Sequence, residues 1–204
     1  MENHLNGNWG NLESSKNYSY ICGFCGAVAG PAYRYCCKYT TSDGKSHTNG
    51  NIYLCPTCNK PTFIINNFGL EIEQVPGPII GENIEFLPDE VGQLYDEARK
   101  CISVNAFTSS VLACRKLLMN ISVSKGAEPG KSFASYVSYL EDNHFTPPGS
   151  REWVDHIRKK GNEATHEITS MSKEDAIELL EFTEMLLRFV YEMPGRMTKH
   201  IQIK

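Results

Sequence analysis

Four cysteines in two matched pairs, Cys22-Gly-Phe-Cys25 and Cys55-Pro-Thr-Cys58, have the types and spacing that imply chemistry most directly. A CxxC turn presents two thiolates to one ion, and two such turns complete the tetrahedron that zinc prefers. Four thiolates leave no position for water, so such a site is structural. The opposing reading is a redox CxxC, which belongs beside a βαβ pattern; neither pair has one. Six of the eight cysteines fall between residues 22 and 58. The adjacent Cys36 and Cys37 cannot easily share one ion. Either one replaces a knuckle cysteine, or both pack in a hairpin, with His47 as a fallback ligand. The predicted set is Cys22, Cys25, Cys55 and Cys58 around one structural zinc, with Cys36 and Cys37 as bystanders. Cys101 and Cys114 fall in helical patterns and read as small core residues.

A second constellation is the run IRKKGNEATHE, residues 157–167. As one helix it places Arg158, Asn162 and His166 at i, i+4 and i+8, on nearly one face. Three polar tips on one stripe are either a buried hydrogen-bond network or a site. As a network, Asn162 and His166 bond across helices while Arg158 pairs with Glu97 or Asp155. A third candidate is the predicted strand Ala32–Tyr39, where Tyr33, Tyr35 and Tyr39 alternate with Arg34 and Lys38 in company. Aromatics interleaved with cations can stack on bases and pair with phosphates. They can equally pack a module that draws most of its stability from its metal. Tyr33, Arg34, Tyr35, Lys38, Lys159 and Lys160 are therefore the nucleic-acid-binding candidates, although Lys159 and Lys160 also fit a solvated face. His156 reads as exposed. The run GAEPGKS, residues 126–132, is one residue short of a P-loop and lacks a preceding strand, so it reads as a helix connection.

The elements that must hold these residues follow from periodicity. Strands are predicted at Tyr18–Ile21, Ala32–Tyr39, Ile52–Leu54 and Thr62–Ile65, and Val75-Pro-Gly-Pro78 with Pro88 marks a linker. Beyond Asp89 the chain reads as helix. A second helix begins near Thr108, a fourth is capped by Ser150, and the last opens on Ser172 with Asp175 in a capping box and stops before Pro194. The expected organisation is a flexible N-terminus (1–17), a zinc ribbon (18–75), a linker (76–88), a helical bundle (89–194) and a loose basic tail (195–204). The fold class is thus mainly α, a small β zinc ribbon followed by a bundle of about five helices.

Composition sets the scene. The 204 residues suit one medium domain and a small module, and 41% hydrophobic content supports a core. Net charge is −4, all of it contributed by residues 76–204, so no general polyanion-binding surface is implied. No apolar run approaches the roughly 20 residues that span a bilayer. The first residues, MENHLNGNWGNLESSKN, carry no signal-peptide pattern. A cytoplasmic protein without membrane association is expected.

The segment Glu97-Ala98-Arg99, the run Ala113-Cys114-Arg115-Lys116-Leu117-Leu118, Ile157-Arg158 before Gly161-Asn162 and His166, and a long leucine-rich last helix together resemble a domain family of unassigned function within the HEPN superfamily. The resemblance covers about residues 88–193, and the ribbon resembles metal-binding modules found in front of such domains. It implies a helical bundle that forms a homodimer. It also implies either a noncatalytic module that binds RNA, nucleotides or a protein partner, or a metal-independent endoribonuclease. Prokaryotic members are associated with phage-defence and toxin systems, so a partner defence or toxin protein is a further expectation. In the ribonuclease version, Arg158, Asn162 and His166 are catalytic. His166 moves a proton near neutrality, Arg158 steadies phosphate charge and Asn162 orients them. Gly161 stands where that version has an arginine. The expected function is accordingly an interaction module binding nucleic acid or a protein partner, with the homodimeric ribonuclease as the alternative.

Overall fold

The structure is a computed structural model and describes residues 8–15, 18–67, 70–166 and 170–201, with backbone alone for 8–11, 67, 70–72 and 160–166. The chain divides into two compact units, Met1–Ile79 and Ile80–Lys204.

The first unit is built from β1 (Asn8–Ser14), β2 (Tyr20–Ile21), β3 (Val28–Ala29), β4 (Tyr33–Thr40), β5 (Ser46–Leu54), β6 (Pro61–Asn67) and β7 (Leu70–Val75). Five of these make an antiparallel sheet in the order β1-β4-β5-β6-β7, and β2 pairs with β3 separately. Side chains alternate between the two faces along each strand, and the faces differ, although Cys37 is fully buried on the same face as Tyr35. Tyr53, Thr62, Ile64, Cys36 and Asn51 are buried on one face, where Tyr53 stacks on Tyr18 and lies tilted against Tyr20 to form a small core with Cys22 and Cys55. On the other face, register aligns Leu12, Tyr35, Ile52, Phe63 and Val75 in one row across all five strands. None of that row is buried: Leu12 is 51% exposed and Tyr35 46%, with Tyr33 (59%) and Leu54 (53%) on the same face.

Four expectations change here. The stretch taken as a flexible N-terminus supplies edge strand β1. The strand expected at Ile52–Leu54 reaches back to Ser46, because Thr41–Lys45 closes a hairpin with Gly44 at φ +80. Strands β3 and β7 were not expected, although Leu70 and Ile72 alternate with Glu71 and Glu73 in a strand pattern. "Mainly α" therefore describes the second unit and not the first.

That second unit contains α1 (Asp89–Ser103), α2 (Phe107–Ser124), α3 (Phe133–Asp142), α4 (Arg151–His166), α5 (Lys173–Leu187) and α6 (Met193–Ile201), with a π-helical turn at Arg188–Glu192. Apolar positions at helical spacing meet in one core: Ala98 and Ile102, Cys114 and Leu118, Leu140, and Leu180 are all buried. The capping box of Ser172 and Asp175 forms as expected. Thr108 sits inside the first turn of α2, where its hydroxyl accepts the amide of Met171. Ser150 donates its hydroxyl to the Pro147 carbonyl. The last helix does not stop before Pro194. A proline ring clashes with the carbonyl four residues back, here Val190, but the wide π turn resets that register and α6 continues through Gly195. Residues expected as a basic tail are thus largely helical. Part of the expected linker is packed as well: buried Arg99 donates to the carbonyls of Ile80 (3.0 Å) and Gly81 (2.6 Å) and to Asn83 Oδ1 (3.0 Å).

Candidate metal centre and the polar helix face

The two CxxC turns are built alike. The Cys22 amide donates to Ala27 O and the Gly26 amide returns to Cys22 O, both at 2.9 Å. In the second turn the Cys55 amide donates to Lys60 O at 3.0 Å and the Asn59 amide to Cys55 O at 2.8 Å. The residue after each second cysteine takes positive φ, Gly26 at +72 and Asn59 at +57, conformations that glycine and asparagine tolerate. Each turn therefore aims its pair of sulfurs to one side. The first turn is seated by Gly23, where a Cβ would lie 2.4 Å from Gly77 O and 2.5 Å from Pro76 O. Gln74 at the end of β7 fastens the same region by donating to Ile21 O (2.8 Å) and Pro76 O (2.9 Å).

The four sulfurs lie within 4.8 Å of one another, the one such cluster among the described residues. Cys22 Sγ is 3.7 Å from Cys58 Sγ, and Cys25 Sγ is 3.8 Å from Cys55 Sγ. A zinc–sulfur bond of about 2.3 Å in a regular tetrahedron sets sulfurs about 3.8 Å apart. A disulfide needs about 2.05 Å. The spacing thus fits a tetrahedral metal ion and not oxidised pairs. The protons agree with this: desolvation opposes ionisation of Cys55, yet the Cys58 and Thr57 amides and the Cys22 and Cys25 thiols hold it down to about 6. Cys25 is pushed up to about 12; the Ala27 amide works against this, and desolvation with the other three cysteines prevails. Cys22 and Cys55 are fully buried, and the Phe24 amide donates to Cys22 Sγ at 3.4 Å. Cys36 and Cys37 are fully buried outside the cluster, where burial and then Glu13 push the Cys36 thiol up. His47 stacks on Tyr39.

On α4, Arg158 is half-buried, donating to Ser138 Oγ at 2.7 Å and paired with Asp155 one turn back. Asn162 and His166 continue the helix, but their side chains, like that of Lys160, lie outside the described residues. His156 is exposed and meets Glu178 Oε2 at 2.9 Å; Lys159 is exposed. On β4 the expected partnership of tyrosines and cations is divided between faces. Tyr33 and Tyr35 point outward. Arg34 donates to Asn51 Oδ1 (3.0 Å) and Lys38 pairs with Glu13 on the other side. Arg99 and Arg115, quoted in the sequence only within the motifs that carry the resemblance and given no role there, are buried in the bundle. Their signal was present, a cation among apolar helical positions.

A four-cysteine knuckle site in a β unit, followed by a helical bundle, defines the class of protein. The family model described as "Domain of unknown function (DUF4145)" matches residues 96–204, and the chain belongs to that family. No curated protein and no solved structure matches the chain.

Proposed function

We propose that this chain is a noncatalytic interaction protein: a zinc-stapled ribbon that docks a protein partner, joined to a HEPN-like bundle, acting in a bacterial phage-defence or toxin-related system. Cys22, Cys25, Cys55 and Cys58 hold the zinc, which replaces a core too small to sustain the sheet. The observation that carries the reading is the outer sheet face. Leu12, Tyr33, Tyr35 and Leu54 are exposed on it, with half-buried Ile52, Phe63 and Val75 aligned in the same row, and exposed apolar side chains gathered on one face mark interaction sites. Its chemistry selects the occupant. Arg34 and Lys38, the cations a nucleic-acid strand would need, are engaged by Asn51 and Glu13 on the opposite face, and residues 1–75 carry no net charge. An apolar protein surface fits; a polyphosphate backbone does not. The HEPN and defence assignments rest on the sequence resemblance. The engagement of Arg158 by Asp155 and Ser138 supports binding over catalysis.

The test is affinity capture from the native host with the parent protein and a Leu12→Glu/Tyr35→Glu variant, both zinc-loaded, followed by reconstitution from purified components. The parent should retain a protein that the variant releases at least about tenfold more readily. Equal capture by both overturns the reading. RNA retained through the same face would replace it with the nucleic-acid reading, and RNA cleavage lost with Arg158→Ala would replace it with the ribonuclease.

A further inference from the structure

A cleft of about 490 Å³ in the helical unit joins apolar walls to charged groups of mostly one sign. Ile80, Pro147, Met185, Phe189 and Met193 supply the walls, and Glu181, Glu184 and Arg188 the charges. That size and that mixture suit a small molecule, since such sites set a few fixed polar groups among apolar side chains. Unbranched Met185 and Met193 can mould themselves to an irregular body.

The charges say what kind of body. Glu184 and Arg188 are already engaged. Glu184 Oε2 accepts from Tyr95 Oη (2.9 Å) and the Glu82 amide (3.1 Å), and its Oε1 accepts from Arg188 Nε (3.0 Å) and Nη2 (2.9 Å). Arg188 Nη1 donates to Glu192 Oε2 at 2.9 Å, so the guanidinium is held between two carboxylates. Glu181 differs: it is exposed, it lines the cleft, and no hydrogen bond or ion pair reaches it among the described residues. The cations of α4 lie elsewhere. That helix runs antiparallel to α5, with Trp153 against Phe182 and His156 against Glu178, so Lys159 and Lys160 are level with the first turn of α5 by backbone position. Arg196, the second arginine on Glu192, also faces Glu85 at 3.6 Å. Four carboxylates, Glu85, Glu181, Glu184 and Glu192, thus surround two guanidiniums, and the surplus is negative. A cleft of that sign repels phosphates and carboxylates and favours a cation.

We propose that this cleft binds a small organic cation, an amine carried on an aryl or alkyl body, with the body between Met185, Phe189 and Met193 and the ammonium at Glu181. The site shares no residue with the ribbon face and does not rest on the reading of that face, so either proposal can fail alone.

The experiment uses the full, zinc-loaded chain with isotope-labelled methionine methyls, followed by NMR at neutral pH. It is titrated with phenylbutylamine, and with phenylbutanol and phenylbutyrate, which keep the body and change the head. Met185 and Met193 report from the wall of the cleft. Met197, exposed one turn further along α6 and outside the lining, and Met171, buried in the core, are internal controls. The amine should move the Met185 and Met193 signals saturably and leave both controls in place. It should bind more tightly than the alcohol, and the alcohol more tightly than the acid. Glu181→Gln, at an exposed position that leaves the fold intact, should weaken the amine about two- to fivefold, the worth of a partly exposed ion pair, and leave the alcohol unchanged. Phe189→Ala removes part of the wall and should weaken amine and alcohol alike. Four results overturn the proposal: no saturable movement of Met185 or Met193, equal movement of Met197, an alcohol or acid that binds as tightly as the amine, or unchanged amine binding by Glu181→Gln. Movement of Met185 and Met193 with chain concentration alone, and no further effect of the amine, would mean that a second copy fills the cleft and would overturn it too.

Discussion

Single side chains decide the metal centre. Cys22 and Cys55 sit fully buried at matching positions of the two turns, so Cys55→Ser removes one of the four sulfurs that could hold a metal ion, and no further cysteine joins that cluster among the described residues. Elemental analysis should find about one zinc per parent chain, a loss of most of it in Cys55→Ser, and full retention in Cys36→Ser. Metal kept by Cys55→Ser would reassign the ligands. Gly23 is the second sensitive position. An alanine there drives its Cβ into the Pro76–Gly77 carbonyls, which are backbone and cannot rotate away. Gly23→Ala should destabilise the ribbon by about 1–3 kcal/mol, as overpacking does, and lower its zinc affinity in a chelator competition. An unaffected competition curve would count against the proposed seating of the first turn.

At the scale of elements, the last helix is held by charges across its π turn. Arg188 donates to Glu184 Oε1 and to Glu192 Oε2, each at 2.9 Å, and Arg196 reaches Glu192 Oε1 at 2.9 Å. Burial would raise the Glu192 carboxyl, but Arg188, the Glu85 amide and Arg196 together hold it below its ordinary value of 4.5. A group whose folded pKa is depressed stabilises the fold above its unfolded pKa and loses that contribution as pH falls through the folded one. Stability of the parent should therefore decline below about pH 4.5, and Glu192→Gln should be less stable at neutral pH with a shallower decline. Denaturant melts at pH 7 and pH 3.5 measure both. Parallel curves for parent and variant would show that Glu192 is not linked to folding.

For the whole molecule, the remaining expectation is a homodimer formed through the helical unit. Phe189, Met193, Met197 and Ile201 follow one another at intervals of four, with exposures of 37%, 55%, 64% and 71%. Phe189 and Met193 also line a cleft of about 490 Å³ with Ile80, Pro147 and Met185. No residue of α6 is buried. An amphipathic helix with its apolar side in water invites a second copy. Light scattering at tens of micromolar, roughly the range of a weak interface, should give twice the chain mass, and Met197→Glu should return it to one. A monomeric parent would remove any site composed from two chains.

What the sequence determined by itself was whatever local spacing controls. The CxxC pairs specify two turns because a knuckle is closed by its own backbone within six residues. The box of Ser172 and Asp175, the apolar periodicity of the bundle and the reading of residues 126–132 as a connection are local in the same sense. Tertiary structure alone decided the rest. The strand at Asn8–Ser14 exists because β4 offers it an edge, and register across five strands put Tyr33 and Tyr35 on one face and Arg34 and Lys38 on the other. Arg99 and Arg115 are both cations in amphipathic helices; Asp96 three residues back offers Arg99 a local partner, but the other acceptors of Arg99 and the ring against Arg115 come from elsewhere in the chain. One meets the carbonyls of a distant segment and the other an aromatic ring, because a buried charge is satisfied by whatever packing brings to it, and packing is set by residues far away in sequence.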